Sequence, residues 1–328
     1  MKRWYQILGF AVSVLIFAWV VSKAFGDIDI VEFLGKIHGP ALLLNIGVGM
    51  LVFFATGLLM KTVFAHHFKV NLSWADTWFL PTMMHLWSYI LPVKGGMIFQ
   101  VVFMRAKYQV NLSKGFSVGV LIFAVSLFVT CLLGSLLAFQ VPDAFSLQLI
   151  LLAMGLMLIV PVVAIKLFPK WEPKETSPFY QLLKFGANVV SQLRTQTADR
   201  ALLLKTLLVT IVAAVLHAYW FYNSALLLGY DPDPYGIALA TLVLRIILLF
   251  RFLPGNLGIQ EVITGAIFTA AGLGLQEGLM TAVFIRLASA GLAVAFGLPA
   301  LYFNLRYFEA NSIRGIWNKL KKQNSTEA

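Results

Sequence analysis

Long uncharged runs dominate the pattern of hydrophobic and polar positions along the chain. Six of them reach the roughly 20 residues that a helix needs to cross a bilayer. They are Trp4–Ser22, Pro40–Met60, Gly115–Pro142, Ala144–Ile165, Thr206–Tyr230 and Met280–Leu305, and only the last contains a charged residue, Arg286. The first run is longer than the apolar part of a signal peptide and has no clear cleavage site, so we interpret it as an uncleaved span.

Two further apolar regions are interrupted by proline and glycine. Region 77–104 breaks at Leu91-Pro92-Val93-Lys94-Gly95-Gly96, and region 234–275 breaks at Leu253-Pro254-Gly255-Asn256-Leu257-Gly258. Both breaks therefore have the pattern L-P-x-x-x-G. Proline and glycine together end helices, and broken backbone at membrane depth must lie inside protein or beside water. The pattern predicts two re-entrant helical hairpins, so the chain has about eight hydrophobic segments in all.

The distribution of basic residues predicts the orientation. With both termini in the cytoplasm, most of the 25 lysines and arginines lie on the cytoplasmic side, as is typical of inner-membrane proteins. The opposite side holds only Lys23 and Lys36. The predicted cytoplasmic segments are 1–3, 61–76, 105–114, 166–205 and 306–328.

This orientation makes the two hairpins enter the membrane from opposite sides. The flanking spans also run in opposite directions, which is typical of an inverted repeat in transporters. We therefore predict a single transmembrane domain over residues 1–328. Its parts are a first span (1–26), repeat 1 (40–142), a span (144–165), a cytoplasmic loop with a surface helix (166–205), repeat 2 (206–305) and a basic cytoplasmic tail (306–328).

Composition supports this class and excludes others. Apolar residues make up 60% of the chain and charged residues only 12%, about half the usual share for a soluble domain. The net charge of +11 is explained by the cytoplasmic segments, so we expect no nucleic-acid partner. The single Cys131 favours neither a disulfide nor a metal site. No catalytic or phosphate-loop motif is present, and we expect no cofactor and no enzyme activity.

Four basic residues lie at predicted membrane depth, where each is costly. They are Lys94, Arg245, Arg251 and Arg286, and the only obvious acidic partner is Glu261. This excess of positive charge predicts an anionic ligand, and a phosphate group suits both the arginine fork and a glycine-rich backbone. The predicted binding set also contains Gly95, Gly96, Gly255, Asn256 and Gly258, with His85 and Glu261 as possible proton carriers.

Structural roles compete with these assignments. Arg286 and Glu261 also suit a simple ion pair, while Arg251 and Lys94 can reach the interface from a shallow position. His85 also suits a hydrogen-bonded packing role. The excess of positive charge over the whole set favours a ligand more than any single residue does.

The second break carries a resemblance to a known family. The stretch from Leu253 to Glu261, followed by Gly272 and then Arg286-Leu287, resembles the C-terminal signature L-P-x-P/G-G-x-G-x-x-E of the lysylphosphatidylglycerol synthase transmembrane region, or flippase-like, family of bacterial inner-membrane proteins. The first break resembles the family's earlier P-x-K/R-x-G motif. The chain departs from the family pattern at Gln100, where a basic residue is frequent, and in the uncharged span that follows. The resemblance covers roughly Pro40 to Tyr307.

The resemblance implies a translocator of anionic, phosphate-bearing or polyprenyl-linked lipids in the bacterial inner membrane. In relatives that carry a soluble aminoacyl-transferase domain, that domain makes the lipid. We expect this chain to be a stand-alone transmembrane region without the synthase activity. Two other hypotheses stay open, namely an intramembrane enzyme that acts on a lipid phosphate, and a non-transporting accessory subunit with a lipid-modifying enzyme as its partner.

Overall fold

The computed structural model describes residues 15–26, 38–90, 95–140, 145–157, 180–247 and 257–309, and within them it is entirely helical. This confirms the predicted all-α membrane class. The eleven described helices are α1 (Leu15–Phe25), α2 (Gly39–Phe68), α3 (Trp74–Ile90), α4 (Gly95–Tyr108), α5 (Leu112–Ala138), α6 (Phe145–Met157), α7 (Tyr180–Ala198), α8 (Arg200–Leu227), α9 (Pro234–Ile247), α10 (Ile259–Ala270) and α11 (Leu275–Glu309).

Four of the described helices, α2, α5, α8 and α11, are long and apolar enough to cross a membrane. They correspond to four of the six predicted spans. The other two, Trp4–Ser22 and Ala144–Ile165, lie partly outside the described residues, and their described portions belong to the short apolar helices α1 and α6. The basic tail lies outside the described residues from position 310 onward.

Side-chain caps move two helix starts away from the hydropathy boundaries. Asn111 precedes α5 and its side chain accepts a hydrogen bond from the backbone N–H of Ser113 (3.3 Å). Asp199 precedes α8 and accepts from the N–H of Leu202 (3.0 Å). Both residues satisfy backbone donors that the first turn leaves unpaired. The α8 helix therefore begins at Arg200, inside the stretch predicted as loop 166–205.

The spans α2 and α8 pack against each other and are joined by a buried polar contact. Asn45 on α2 donates to Ser224 Oγ (2.8 Å) and accepts from the indole N–H of Trp220 (3.0 Å). No side chain larger than hydrogen fits at Gly49, because a Cβ there would lie 2.8 Å from the Trp220 ring. The pair α2 and α8 therefore forms a close, uncharged seam through the molecule.

The predicted hairpin regions each contain two short helices. The α3, α4, α9 and α10 helices have 17, 14, 14 and 12 residues. At 1.5 Å per residue they are about 18–26 Å long, shorter than the roughly 30 Å hydrocarbon core. The α3 helix packs on α4 and α9 packs on α10. Both connecting tips, 91–94 and 248–256, lie outside the described residues, so re-entrant turns stay a prediction.

Helix contacts follow the same scheme in the two halves. The α3 helix packs against α2, α4 and α11, and α9 packs against α8, α10 and α5. These contacts correspond when α2, α3, α4 and α5 are matched with α8, α9, α10 and α11. The scheme is what an inverted repeat requires, and the division into two repeats stays a prediction.

The turns at matched helix ends are also alike. The four ends are the C-termini of α2, α8, α4 and α10. At each of them a residue with positive φ is followed by an apolar residue. The N–H of that apolar residue bonds to a helix carbonyl five or six positions earlier, as in a Schellman cap. The positive-φ residues are Lys69 after α2, Gly229 after α8, Gln109 after α4 and Gly272 after α10. The returning bonds are Val70 to Phe64, Tyr230 to Ala225, Val110 to Met104 and Leu273 to Phe268.

Candidate functional site

A buried ion pair lies where α10 begins. Arg286 Nη1 on α11 is 2.8 Å from Glu261 Oε1, and the two side chains are 5% and 1% exposed. The same nitrogen donates a hydrogen bond to Gln260 Oε1 (3.0 Å). The other carboxylate oxygen accepts from the N–H of Gly258 (2.7 Å). The pair therefore ties α11 to the first turn of α10.

Arg286 and Glu261 form the ion pair that the sequence also suited. Their part in binding a ligand stays a prediction. The α10 helix begins at Ile259, with Gly258 as its N-cap. The positive end of this helix faces the Glu261 carboxylate. The N-terminus of α10 is therefore occupied by a side chain of the protein.

Tyr89 connects the ion pair to α3. The Arg286 guanidinium lies over the Tyr89 ring, 4.6 Å from its centroid. The Tyr89 hydroxyl is 2.9 Å from His85 Nε2 and 3.0 Å from Ser289 Oγ. The His85 ring also meets Phe53 of α2 edge-on, with 5.3 Å between centroids. Helices α2, α3, α10 and α11 thus meet in one polar centre.

Arg245 is a buried cation without a carboxylate partner among the described residues. Its Nη1 is buried and has no hydrogen-bond partner, and no described carboxylate forms an ion pair with it. Arg245 lies near the end of α9, between the buried Leu244 and Ile246. Arg245 and His85 both lie within electrostatic range of His217 on α8.

The described glycines of the predicted site serve helix packing. A Cβ at Gly96 would lie 2.4 Å from the carbonyl oxygen of Met84 on α3. Gly258 has φ of +80°, and a Cβ there would lie 2.5 Å from Ile16 of α1. The space that we expected to admit a ligand is filled by neighbouring helices at both positions. Gly95 is buried in the first turn of α4.

Four predicted binding residues lie outside the described residues, namely Lys94, Arg251, Gly255 and Asn256. They belong to the connecting tips that join α3 to α4 and α9 to α10. Among the described members, the structure brings His85, Glu261 and Arg286 into one centre, and both Arg245 and His85 lie within electrostatic range of His217.

Sequence reasoning missed a second polar cluster, at the opposite ends of α3 and α4. Asp76 is 1% exposed and its carboxylate is 2.7 Å from Lys107 Nζ. It also accepts from the Tyr108 hydroxyl (2.5 Å), while Lys107 donates to Asn304 Oδ1 on α11 (3.0 Å). The sequence did contain a signal for this cluster, namely an acidic residue before the first apolar arm of the region and a basic residue after the second. The cluster fastens the base of the hairpin to the last helix.

The described residues contain no group of three side chains suited to a metal ion. The polar centre offers a guanidinium, aromatic faces and hydrogen-bond donors in an apolar surround. This set is suited to holding an anion.

The profile of the family described as Lysylphosphatidylglycerol synthase TM region matches residues 6–297. The match covers most of the chain, which therefore belongs to that family. No curated protein matches the chain. The protein is thus a multi-pass membrane protein of a family linked to membrane lipids.

Proposed function

We propose, from membership of this family, that the protein moves a lipid with a phosphate headgroup between the leaflets of a bacterial inner membrane without changing it chemically. The family match supports a function related to membrane lipids. The observation that carries the phosphate assignment is Arg245, whose buried Nη1 has no partner among the described residues. A ligand anion would supply that partner.

The chemistry of the guanidinium supports a phosphate ligand. Arginine stays charged in proteins and presents parallel donors that match two phosphate oxygens. An arginine without a counter-charge is unfavourable at membrane depth. Arg245 lies eleven residues after the start of α9, which is about 16 Å along the helix and near half the hydrocarbon thickness. A headgroup at this position would be midway between the leaflets.

Other parts of the polar centre would support the headgroup without all touching it. The Arg286–Glu261 pair holds α10 against α11. Lys94, Arg251, Gly255, Asn256 and Gly95 are proposed as further contacts from the tips of the hairpins. The matched helix packing and matched turns support two inverted repeats around this centre, with both termini in the cytoplasm. The lipid tails would stay in the bilayer while the headgroup crosses between the repeats.

The test is lipid transport by purified protein in vesicles of phosphatidylcholine with a trace of fluorescent phosphatidylglycerol, read by albumin back-extraction from the outer leaflet. A hydrogen bond to a charged group contributes about 1.5–3 kcal/mol, so Arg245→Ala is expected to slow transport roughly 10- to 150-fold. Arg245→Lys keeps the charge without the fork and is expected to have an intermediate rate.

The matched control is Arg200→Ala, because Arg200 is an exposed arginine in the first turn of α8. It is expected to transport at the wild-type rate. If folded Arg245→Ala also transports at the wild-type rate, the headgroup assignment is wrong. A chemically altered lipid in detergent would favour the enzyme hypothesis. Absence of transport by the pure protein, with a stable co-purifying enzyme, would favour the accessory subunit.

A further inference from the structure

One proton is shared among three side chains beside the ion pair. The Tyr89 hydroxyl lies between His85 Nε2 (2.9 Å) and Ser289 Oγ (3.0 Å). Ser289 Oγ donates its own proton to the backbone carbonyl of Arg286 (2.9 Å). While Ser289 makes that bond, its Oγ accepts from Tyr89. The Tyr89 proton then has two acceptors within reach.

This geometry accommodates both protonation states of His85. When Nε2 of His85 carries no proton, the Tyr89 hydroxyl donates to it. When His85 is an imidazolium, Nε2–H donates to the Tyr89 oxygen and the Tyr89 proton turns to Ser289. Both arrangements keep His85 and Tyr89 hydrogen-bonded to each other. A histidine with only a packing role would need just one of these two hydrogen-bond arrangements.

His85 and Arg245 also occupy matched positions. His85 lies eleven residues after the first residue of α3, and Arg245 lies eleven residues after the first residue of α9. The charges of both act on His217 of α8. The matched helices α3 and α9 thus each carry one basic side chain toward the same centre. One of these side chains has a permanent charge, and the other can gain or lose its charge near neutral pH.

We infer that His85 is a second, titratable station for the headgroup phosphate, and that a proton crosses with the lipid; this inference rests on the function proposed above. At Arg245 a phosphodiester anion meets a permanent positive charge. At His85 it meets a positive charge only when the imidazole has taken a proton from the water on that side. Release on the other side returns both the anion and the proton, so the step is electroneutral and no covalent bond forms or breaks.

The charged and titratable neighbours of His85 come from several elements. Among the described residues, Tyr89 of its own helix bonds to it and the Phe53 ring of α2 faces it. The α4 helix carries its basic side chains in its last turn, at the far end. The remaining groups are Arg286 on α11, paired with Glu261 on α10, and His217 on α8 with Arg245 beyond it. Since Arg286 is neutralised by Glu261, the arriving phosphate is the charge that changes during transport.

The experiment combines lipid transport with proton flux in the same vesicles. Fluorescent phosphatidylglycerol reports the lipid, and trapped pyranine reports the internal pH while potassium and valinomycin clamp the potential. We expect transport to be at least tenfold faster at pH 5.5 than at pH 8.5, since the charged fraction of a histidine falls about tenfold per pH unit above its midpoint. We also expect a proton flux that is carried only when labelled lipid moves.

Three variants separate the possibilities. His85→Gln cannot ionise and is expected to transport slowly with a flat pH profile. His67→Gln removes a histidine at the end of α2 and is expected to keep the wild-type profile. If His85→Gln does not fold, Tyr89→Phe keeps the imidazole and removes the shared proton, and it is expected to shift the midpoint of the profile by at least half a pH unit.

The failures of the two proposals look different. The role of His85 is overturned by a wild-type pH profile in both His85→Gln and Tyr89→Phe, or by lipid transport without proton flux. In that case, loss of transport in Arg245→Ala still supports the headgroup site. Wild-type transport in Arg245→Ala at every pH overturns the proposed function itself, and the proton station falls with it.

Discussion

Neutralising Glu261 should destabilise the protein far more than neutralising a similar glutamate without an arginine partner. In Glu261→Gln the amide can still accept from Gly258, but Arg286 loses its counter-charge while only 5% exposed. Removing one partner of a buried ion pair costs about 3–5 kcal/mol. With an unfolding entropy of about 2.1 cal/mol/K per residue, each kcal/mol lowers the melting temperature of a 328-residue chain by roughly 1.5 °C. The expected decrease in melting temperature is therefore roughly 4–7 °C.

Glu277 provides a matched control within the chain. It accepts from the N–H of Gly274 (2.8 Å), three residues earlier, just as Glu261 accepts from Gly258 (2.7 Å). None of the ion pairs between described residues includes it. Glu277→Gln removes a charge near a helix N-terminus, which contributes about 0.3–1 kcal/mol. The difference between the two variants isolates the ion pair from the hydrogen bond.

Cys131 makes the measurement simple. It is the single cysteine of the chain, and its side chain is fully buried in α5. A thiol-reactive fluorophore in mild detergent therefore reports unfolding on heating without further labelling. If the melting temperature of Glu261→Gln falls no more than that of Glu277→Gln, the reasoning about the buried pair is refuted.

Three further predictions concern helix packing and the ends of the helices, and the same thermal assay reads all of them. Gly57→Ala should prevent normal packing of α2 on α3, because its Cβ would lie 1.7 Å from a backbone oxygen. In the control Gly47→Ala the new Cβ meets nothing within 4 Å, and the protein should gain up to about 1 kcal/mol of stability. Equal melting temperatures of the two variants would contradict this. Asp76→Ala should lower stability by about 3–5 kcal/mol, since it leaves Lys107 without its carboxylate, and a melting temperature equal to that of wild type would count against the cluster. The hydrogen bond from the N–H of Leu202, followed by His66, holds the pKa of Asp199 below its ordinary 3.8. The stabilisation by Asp199 is therefore present above pH 3.8 and lost as the pH falls through the lower folded pKa, so Asp199→Asn should differ from wild type at pH 6 and converge with it in strong acid.

The long spans could be predicted because hydropathy depends only on local sequence. Their starts could not be placed in this way, since Asn111 and Asp199 extend two helices through side-chain caps that hydropathy does not register. The pairing of Arg286 with Glu261 was one of two predicted outcomes, because Glu261 was the only obvious acidic residue at depth.

The rest of the polar centre could not be predicted because it depends on packing between distant helices. Tyr89 meets Ser289 across 200 residues of chain, and Lys107 meets Asn304 across 197. No spacing rule connects such positions. Gly96 and Gly258 were expected to admit a ligand, and only the positions of Met84 and Ile16 reveal that neighbouring helices fill that space.

These long-range contacts determine when the first hairpin becomes stable during synthesis. Tyr89 and Lys107 bond to the last described helix, which emerges from the ribosome about 200 residues later. At roughly 5–20 residues per second, this delay is about 10–40 s. During that time α3 and α4, each too short to span, are held in the membrane without the partners of their polar side chains. A chain truncated before α11 would leave this hairpin exposed, so membrane proteases could distinguish an incomplete protein from a finished one.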